Sequence, residues 1–247
     1  MLEQLPPDEL YRLYQLLDDL AHMDAGVHLA GLILEEDEIK SVLPLIRNYY
    51  AAFFAIHEAH LAKRLLTADD PWEILERFPL YSRYEALVNG QVSALPDLVR
   101  RRLIFIGCGP VPMSLILMNR LYQTRCVGLD ASIESVELAR AVVETLGLDK
   151  EIAIVHGNEA ALWDQDWNAV LVAALAEPKA RIFQELRQML PERGADIPVI
   201  YRTYTGMRAV LYAPVDPGHL TGFRTLREIF PTGRVNNTTV LAALEAP

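Results

Sequence analysis

The sequence is poor in the features that mark secreted, membrane or nucleic-acid-binding proteins. Only two cysteines occur in 247 residues, Cys108 and Cys126, too few for a disulfide framework or a four-thiolate zinc site. The N-terminus has no basic and apolar leader, and glycines and prolines interrupt the longest uncharged run, so we expect no signal peptide or membrane span. The formal net charge of −10 offers no basic surface for a phosphate backbone. These absences predict a cytoplasmic protein without nucleic-acid or membrane partners.

Glycine is scarce and negative charge is concentrated in the first part of the chain. Residues 1–100 contain 17 acidic and 8 basic residues, a net charge of −9, whereas residues 101–247 carry only −1. Gly26 and Gly31 are the only glycines before Gly90, and apolar residues in this part recur at helical spacing. We therefore predict an N-terminal helical domain over residues 1–100 and a second domain over residues 101–247.

Several helices of the N-terminal part have predictable ends. A long helix is expected from about Asp37 to Leu66, with Pro44 bending or restarting it near its beginning. Asp70 is suited to cap a short helix that opens at Pro71. A last helix is predicted over Ser82–Leu95, because Pro96 cannot continue it.

From Arg101 onward, short apolar segments alternate with amphipathic ones. The predicted strands are Leu103–Gly107, Arg125–Asp130, Glu151–His156, Trp167–Ala174 and Ile197–Tyr201, and the predicted helices are Pro112–Tyr122, Ile133–Leu146 and Pro178–Leu190. This alternation indicates a parallel sheet covered by helices on both faces. Ala209–Ala213 and Thr238–Leu244 are expected to close it as an antiparallel hairpin. The predicted fold class is therefore α/β, a Rossmann-like class I methyltransferase-type sheet preceded by a helical domain.

The loop after the first predicted strand is glycine-rich but unsuited to phosphate. Gly107 permits a tight turn and Gly109 permits close approach of a ligand, as in dinucleotide-binding loops. Pro110 and Pro112 remove two backbone N–H donors that a pyrophosphate needs. The loop is therefore poor for NAD or FAD and fits a nucleoside ligand without phosphates.

Polar residues at the ends of the next two strands complete this prediction. Asp130 ends the second strand, where a carboxylate binds both ribose hydroxyls, and Asn158 and Glu159 follow the third strand, where an adenine is read. Together with the loop they indicate S-adenosylmethionine (AdoMet) as co-substrate. The predicted cofactor-binding residues are Gly107, Cys108, Gly109, Pro110, Asp130, Ala131, Asn158, Glu159 and Ala173.

Five ordered motifs resemble those of nicotianamine synthases and the related bacterial opine-metallophore synthases of the staphylopine and pseudopaline type. They are residues 78–84 (FPLYSRY), 107–114 (GCGPVPMS), 172–175 (VAAL), 202–212 (RTYTGMRAVLY) and 231–238 (PTGRVNNT). The chain departs from the plant pattern at Leu80, Ser82, Arg83, Tyr204 and Thr205. Residues 174–179 (ALAEPK) and 201–215 (YRTYTGMRAVLYAPV) look closer to the bacterial branch.

The resemblance implies transfer of the 3-amino-3-carboxypropyl (aminobutanoyl) group of AdoMet to an amine, with release of methylthioadenosine. The bacterial branch implies one transfer to the amino group of histidine, in biosynthesis of an opine-type metallophore, with an opine dehydrogenase as the next enzyme. Alternatives are a nicotianamine synthase that condenses several AdoMet molecules, an ordinary AdoMet-dependent N-methyltransferase, or a protein that binds AdoMet without turnover. The histidine enantiomer, the number of transfers, the metal held by the product and a homodimeric state stay open.

Glu58 is the predicted general base. It falls within an apolar helical stripe with Phe54, Leu61 and Leu65, and burial raises the pKa of a carboxyl group towards neutrality. The resemblance also implies a catalytic glutamate on this helix and a tyrosine in FPLYSRY, for which Tyr84 is our first assignment. The alternative is a structural ion pair of Glu58 with Arg64 or Arg77.

Three further residues are predicted to contact the acceptor substrate: Tyr81 of FPLYSRY, His57 beside the base, and Arg208, which matches a family position. Arg202 and Arg208 are both suited to bind a carboxylate through a guanidinium fork. His57 and His60 are three residues apart rather than the four of an HExxH zinc motif, so we predict no metal site.

Overall fold

Helices fill the N-terminal part of the chain. The computed structural model describes residues 6–194 and 197–245, and within them five α-helices precede the first strand. These are α1 (Pro7–Ala21), α2 (Gly26–Glu35), α3 (Asp37–Leu66), α4 (Pro71–Glu76) and α5 (Tyr81–Ala94). The long predicted helix is confirmed as α3, which runs through Pro44 without a break. No helix in the described ranges combines the length and apolarity needed to span a lipid bilayer.

Local sequence explains where α4 and α5 begin and end. The Asp70 side chain accepts a 3.0 Å hydrogen bond from the backbone N–H of Glu73, and Pro71 occupies the first helical turn of α4. Helix α5 ends at Ala94, and a 3-10 helix over Pro96–Arg100 leads into the first strand. A proline disfavours helical geometry at the residue before it, which accounts for the predicted stop.

A sheet of seven strands follows within the described residues, in the order β3-β2-β1-β4-β5-β7-β6. Strands β1 to β5 are parallel, whereas β7 runs antiparallel to both β5 and β6. The strands are β1 (Leu103–Ile106), β2 (Cys126–Asp130), β3 (Ile152–His156), β4 (Ala169–Val172), β5 (Val199–Thr203), β6 (Phe223–Ile229) and β7 (Thr238–Leu244). The crossover helices are α6 (Met113–Tyr122), α7 (Ile133–Thr145) and α8 (Lys179–Arg193). The predicted class I methyltransferase-type architecture is thus confirmed.

The predicted sixth strand was wrong. Residues 206–210 form a 3-10 helix in which Ala209 and Val210 are buried, so this apolar segment packs into the core without pairing. The strand that pairs with β7 is Phe223–Ile229, whose side chains are mostly exposed because β6 lies at the edge of the sheet. The sequence of β6 is mostly polar, so it lacks the apolar run that predicts a strand.

The N-terminal helices and the sheet share one hydrophobic core. Phe53 of α3 is fully buried against Tyr14 of α1, with ring planes 5° apart and centroids 4.3 Å apart. The same cluster includes Phe105 of β1 and Ile200 of β5, on one face of the sheet. Alternate residues such as Ile104 face the other way, towards a second cluster that includes Phe183 of α8. A domain boundary near residue 100 stays a prediction.

Candidate active site

A cavity of about 700 Å³ lies where α3 and α5 meet the carboxyl ends of the parallel strands. Its wall includes Glu58 from α3, Tyr84 from α5 and the segments that follow the first five strands. This is the position at which open α/β sheets bind ligands. All nine predicted cofactor-binding residues line it: Gly107, Cys108, Gly109, Pro110, Asp130, Ala131, Asn158, Glu159 and Ala173.

The loop after β1 depends on two glycines with positive φ. At Gly107 (φ 79°), an added Cβ would lie 2.7 Å from Cβ of Ala176, so the loop packs closely on the segment after β4. At Gly109 (φ 69°), an added Cβ would lie 2.9 Å from Oε2 of Glu58. Glycine is therefore needed at both positions for conformation and for space, and Gly109 brings the loop directly beside the predicted base.

Asp130 is fixed at the end of β2 by backbone donors. The N–H of Gly109 donates to Oδ2 at 2.9 Å, and the N–H of Ser132 donates to Oδ1 at 2.9 Å. A carboxylate has about four lone-pair sites, so acceptor capacity remains for a ligand in the cavity. The two bonds orient the carboxylate relative to the glycine loop.

The residues that follow β3 line the cavity next to those that follow β2. The Asn158 side chain accepts a 3.1 Å hydrogen bond from the N–H of Ala160 and caps a 3-10 helix over Glu159–Asp164. Glu159 is buried and forms an ion pair with Arg181. Glu159 therefore presents a carboxylate whose charge is already partly balanced.

Glu58 and Tyr84 form a hydrogen-bonded pair on the cavity wall. The Tyr84 hydroxyl donates to Oε1 of Glu58 at 2.9 Å. Protein atoms enclose the carboxyl group except where it faces the cavity, and this burial raises the pKa of Glu58 to about 8. The hydrogen bond from Tyr84 opposes that shift, and the negative charge of Asp130 adds to it.

The structural alternative for Glu58 is not observed. Arg77 is instead 2.7 Å from Glu73, and no ion pair joins Glu58 to Arg64 or any other described residue. Burial and the neighbouring Glu58 raise the pKa of Tyr84 well above its ordinary value, so the phenol keeps its proton and acts as a donor. The pair therefore consists of a protonated phenol and a carboxyl group that titrates near neutrality.

The remaining part of the cavity is lined by tyrosines and amides. Asn236, on the segment before β7, donates from Nδ2 to the hydroxyls of Tyr14 and Tyr50, both at 3.3 Å. The Tyr204 hydroxyl donates to that of Tyr50 at 3.3 Å. This network joins α1 and α3 to the carboxyl edge of the sheet and closes the cavity on that side.

Comparison with known proteins decides the family. A family model described as nicotianamine synthase protein matches residues 3–246. The chain belongs to the nicotianamine synthase family. Among solved structures, a glutamate-to-glutamine mutant of MtNAS in complex with S-adenosylmethionine is 34% identical with a TM-score of 0.93, covering 99% of this chain and 94% of that chain. MtNAS in complex with MTA and tNA matches equally well, over 99% of this chain and 91% of that chain.

Curated members of the nicotianamine synthase family are longer. The enzyme of tomato (Solanum lycopersicum) is 29% identical over 75% of this chain and 61% of its own length. Nicotianamine synthase 1 of barley (Hordeum vulgare) is 30% identical over 76% of this chain and 62% of its own. This chain thus spans about three-fifths of the plant relatives. Magnesium protoporphyrin IX methyltransferase of Synechocystis PCC 6803 shares the fold alone, at 15% identity and a TM-score of 0.52, covering 82% of this chain and 99% of that chain.

The three predicted acceptor-binding residues are not on the cavity wall. His57 is packed among aromatic rings, including Phe53 at a centroid distance of 4.9 Å. Arg208 donates to the backbone carbonyls of Val235 and Gly233 at 2.9 and 3.1 Å, and Tyr81 lies outside the lining set. His57 precedes Glu58 on α3, and consecutive side chains of an α-helix point in different directions, so His57 packs on the aromatic side. Within the described ranges, no three histidine, cysteine or acidic side chains converge on a common point.

Sequence reasoning missed the part of the wall formed by Tyr14, Tyr50 and Asn236. The two tyrosines are almost fully buried, so their spacing is indistinguishable from that of core aromatics. Asn236 lies within the family-like segment 231–238, which was the available signal. The nearer kinship with the bacterial opine-metallophore branch stays a prediction.

Proposed function

We propose that this chain transfers the 3-amino-3-carboxypropyl group of AdoMet to an amine and releases methylthioadenosine. The observation that carries the proposal is the Glu58–Tyr84 pair beside the glycine loop: the hydrogen bond is 2.9 Å long, and Glu58 titrates near neutrality. Membership of the nicotianamine synthase family supports it, as does S-adenosylmethionine in the related MtNAS structure.

The cavity residues fit AdoMet. Gly107 and Gly109 give the loop the positive-φ turn that places it on the cavity wall, and the neighbouring prolines leave few donors for phosphate. Asp130 retains lone pairs for two ribose hydroxyls after accepting from Gly109 and Ser132. The acidic side chains on the wall, including Asp130 and Glu159, favour a cationic ligand over an anionic one.

Glu58 acts as the base in this proposal. An acceptor ammonium has no lone pair, so it must lose a proton before it attacks carbon. Glu58 takes this proton, and its raised pKa makes it a stronger base than an exposed carboxylate. Tyr84 holds the carboxylate in position through Oε1, which leaves Oε2 on the Gly109 side. AdoMet, when bound, supplies a sulfonium whose γ-carbon accepts the amine lone pair as its bond to sulfur breaks.

Two molecules are candidates for the acceptor amine in this reaction. The family model and the plant relatives favour a reaction of the nicotianamine synthase type, in which AdoMet also supplies the acceptor amine. Transfer to histidine for an opine-type metallophore, our first reading of the sequence, is the second candidate. Its support is local, because Leu80, Arg83 and Tyr204 depart from the plant pattern and all line the cavity. Enzymes that bind different acceptors are expected to differ in the residues that line the cavity.

Product analysis tests the proposal. The purified chain is incubated with AdoMet, with and without histidine, and the nucleoside and amine products are identified by mass spectrometry. Methylthioadenosine is the expected nucleoside, and S-adenosylhomocysteine would identify a methyltransferase instead. Release that requires histidine, with a product containing both groups, supports the histidine form. Release without any added amine supports the nicotianamine synthase form. AdoMet binding without either nucleoside would indicate a binding protein.

A further inference from the structure

Three arginines are among the described residues that line the cavity, and they differ in their partners. Arg83 donates to both carboxylate oxygens of Asp18, at 2.6 and 2.8 Å. Arg181 is paired with Glu159. Arg202 has no carboxylate within ion-pair distance among residues 6–194 and 197–245. One cation on the cavity wall thus lacks a balancing charge.

Arg202 is held by neutral groups alone. Its Nη2 donates to Oγ of Ser114 at 2.9 Å and to Oε1 of Gln91 at 3.3 Å. Its guanidinium carbon lies 5.1 Å from the centroid of the Phe105 ring, a cation–π contact. Its Nε is buried and has no hydrogen-bond partner in the described part of the chain. These three neutral neighbours orient the guanidinium group, but none of them balances its charge.

Burial of this uncompensated charge lowers the stability of the fold unless a ligand binds there. Arg202 is only 4% exposed, and burial lowers its pKa to about 10, so the side chain remains a cation at neutral pH. Burying an unpaired charge opposes folding, and such charges are normally paired. The phenols of Tyr84 and Tyr204, which act on Arg202 electrostatically, are themselves protonated and neutral. The missing partner is an anion that enters the cavity.

We infer that Arg202 binds a carboxylate group of a bound substrate in the cavity that it lines together with Glu58 and Tyr84. The inference rests on the proposed function, because both substrates of that reaction carry an amino-acid carboxylate. A planar guanidinium matches a carboxylate in geometry and charge. Binding there would hold the amino-acid end of one substrate near the base and fix the reacting atoms.

A carboxylate fits this position better than a phosphate. Pro110 and Pro112 deprive the adjacent loop of backbone donors, so a phosphate would find few partners beyond a single arginine. At the other side of the cavity, Asp130, Glu134 and Glu159 repel anions. A ligand with a cationic centre and a separate carboxylate matches both sides, with its anionic end at Arg202.

Two variants and three nucleosides test the inference by calorimetry. Arg202→Met removes the charge and keeps an unbranched chain, and Arg202→Lys keeps the charge without the fork. The probes are AdoMet, decarboxylated AdoMet and methylthioadenosine, of which only AdoMet bears a carboxylate. For a carboxylate supplied by AdoMet, we expect Arg202→Met to weaken AdoMet binding by roughly 10- to 100-fold, and Arg202→Lys to weaken it less. Binding of the other two should be unchanged.

A second arm covers a carboxylate supplied by the acceptor. L-Histidine and histamine, which lacks the carboxylate, are titrated into the protein loaded with methylthioadenosine. Preference of the wild type for L-histidine, lost in Arg202→Met while AdoMet binding is retained, assigns the carboxylate to the acceptor. A thermal melt of each ligand-free variant checks the fold. We expect Arg202→Met to melt near the wild-type temperature, whereas Arg83→Met, which removes the 2.6 Å ion pair of buried Asp18, should melt lower.

The outcomes separate this inference from the proposed function. If the wild type binds neither AdoMet nor methylthioadenosine, the proposed function fails and this inference fails with it. If the wild type binds both and the variants bind every probe equally well, the inference alone is overturned. If both Arg202 variants lose affinity for every probe to the same extent, Arg202 has a structural role. That result would also overturn the inference.

Discussion

The Tyr84 hydroxyl lies 2.9 Å from Oε1 of Glu58, while the other carboxyl oxygen of Glu58 faces the Gly109 loop. Three segments distant in sequence therefore meet at one carboxyl group: α3, α5 and the turn after β1. The N–H of Gly109 also donates to Asp130 at 2.9 Å, so the predicted base and the predicted ribose-binding carboxylate both adjoin this glycine.

Tyr84→Phe should shift the pH dependence of turnover. The Tyr84 hydrogen bond stabilises the ionised form of Glu58 and opposes the rise of its pKa caused by burial. Without that bond, the pKa of Glu58 rises further, so the basic form appears only at higher pH. We expect the ascending limb of kcat against pH to move up and kcat at pH 7 to fall several-fold. An unmoved limb would show that Glu58 is not the titrating group.

Gly109→Ala should damage turnover more than it damages stability. The new Cβ would lie 2.9 Å from Oε2 of Glu58 and push the carboxyl group from its position. We expect kcat to fall by roughly 10- to 100-fold, as misplaced catalytic groups do. The positive φ should also cost about 1–2 kcal/mol of the free energy of unfolding.

Gly147→Ala is the matched control. Gly147 has φ 71°, close to that of Gly109, but an added Cβ would meet no atom within 4 Å. Its strain should lower the melting temperature by a similar amount and leave kcat unchanged. Equal loss of turnover in both variants would attribute the effect to instability alone.

Asp130→Asn should weaken AdoMet binding. The amide keeps one acceptor oxygen and replaces the other with a donor, which disturbs the bond from Gly109 and removes the charge at the end of β2. We expect Kd for AdoMet to rise by roughly 10- to 100-fold in calorimetry. Asp149→Asn, at an exposed turn, should leave Kd unchanged. Wild-type affinity in Asp130→Asn would contradict the assigned role.

Glu58 should make stability depend on pH. The fold raises its pKa from an ordinary value of 4.5 to about 8, so the folded state keeps a proton that the unfolded chain releases between these values. This contribution to stability is complete below pH 4.5 and is lost as pH rises through about 8. The melting temperature of Glu58→Gln minus that of the wild type should therefore increase across this window. A constant difference would show that the pKa of Glu58 is not raised.

Much of the fold follows from local patterns in the sequence. Strands β1, β4 and β5 are short runs buried on both faces, and the cap at Asp70 marks a helix start directly. Strand β6 escaped prediction because an edge strand need not be apolar. The segment at Ala209 escaped because burial in a 3-10 helix and burial in a strand need similar residues.

The position of the candidate site was predictable where its residues follow strands. The nine residues predicted to bind the cofactor line the cavity because parallel strands end at one edge, which the topology fixes. His57, Tyr81 and Arg208 lie outside the cavity lining, and their binding roles stay predictions. The contacts of Arg208 with Val235 and Gly233 depend on loop packing that the sequence does not encode. The sequence already suggested Arg202 as a carboxylate-binding residue, but its lack of an ion-pair partner among the described residues is visible only in the structure.

The most direct test of the account measures AdoMet binding and single-turnover release of methylthioadenosine on the same samples of wild type and Glu58→Gln. Glutamine keeps the size of Glu58 and an acceptor for Tyr84, but it cannot accept the proton. We expect Glu58→Gln to bind AdoMet with a Kd within a few-fold of wild type and to turn over more slowly by about 100-fold or more. A variant that binds AdoMet normally and keeps the wild-type rate would contradict Glu58 as the base.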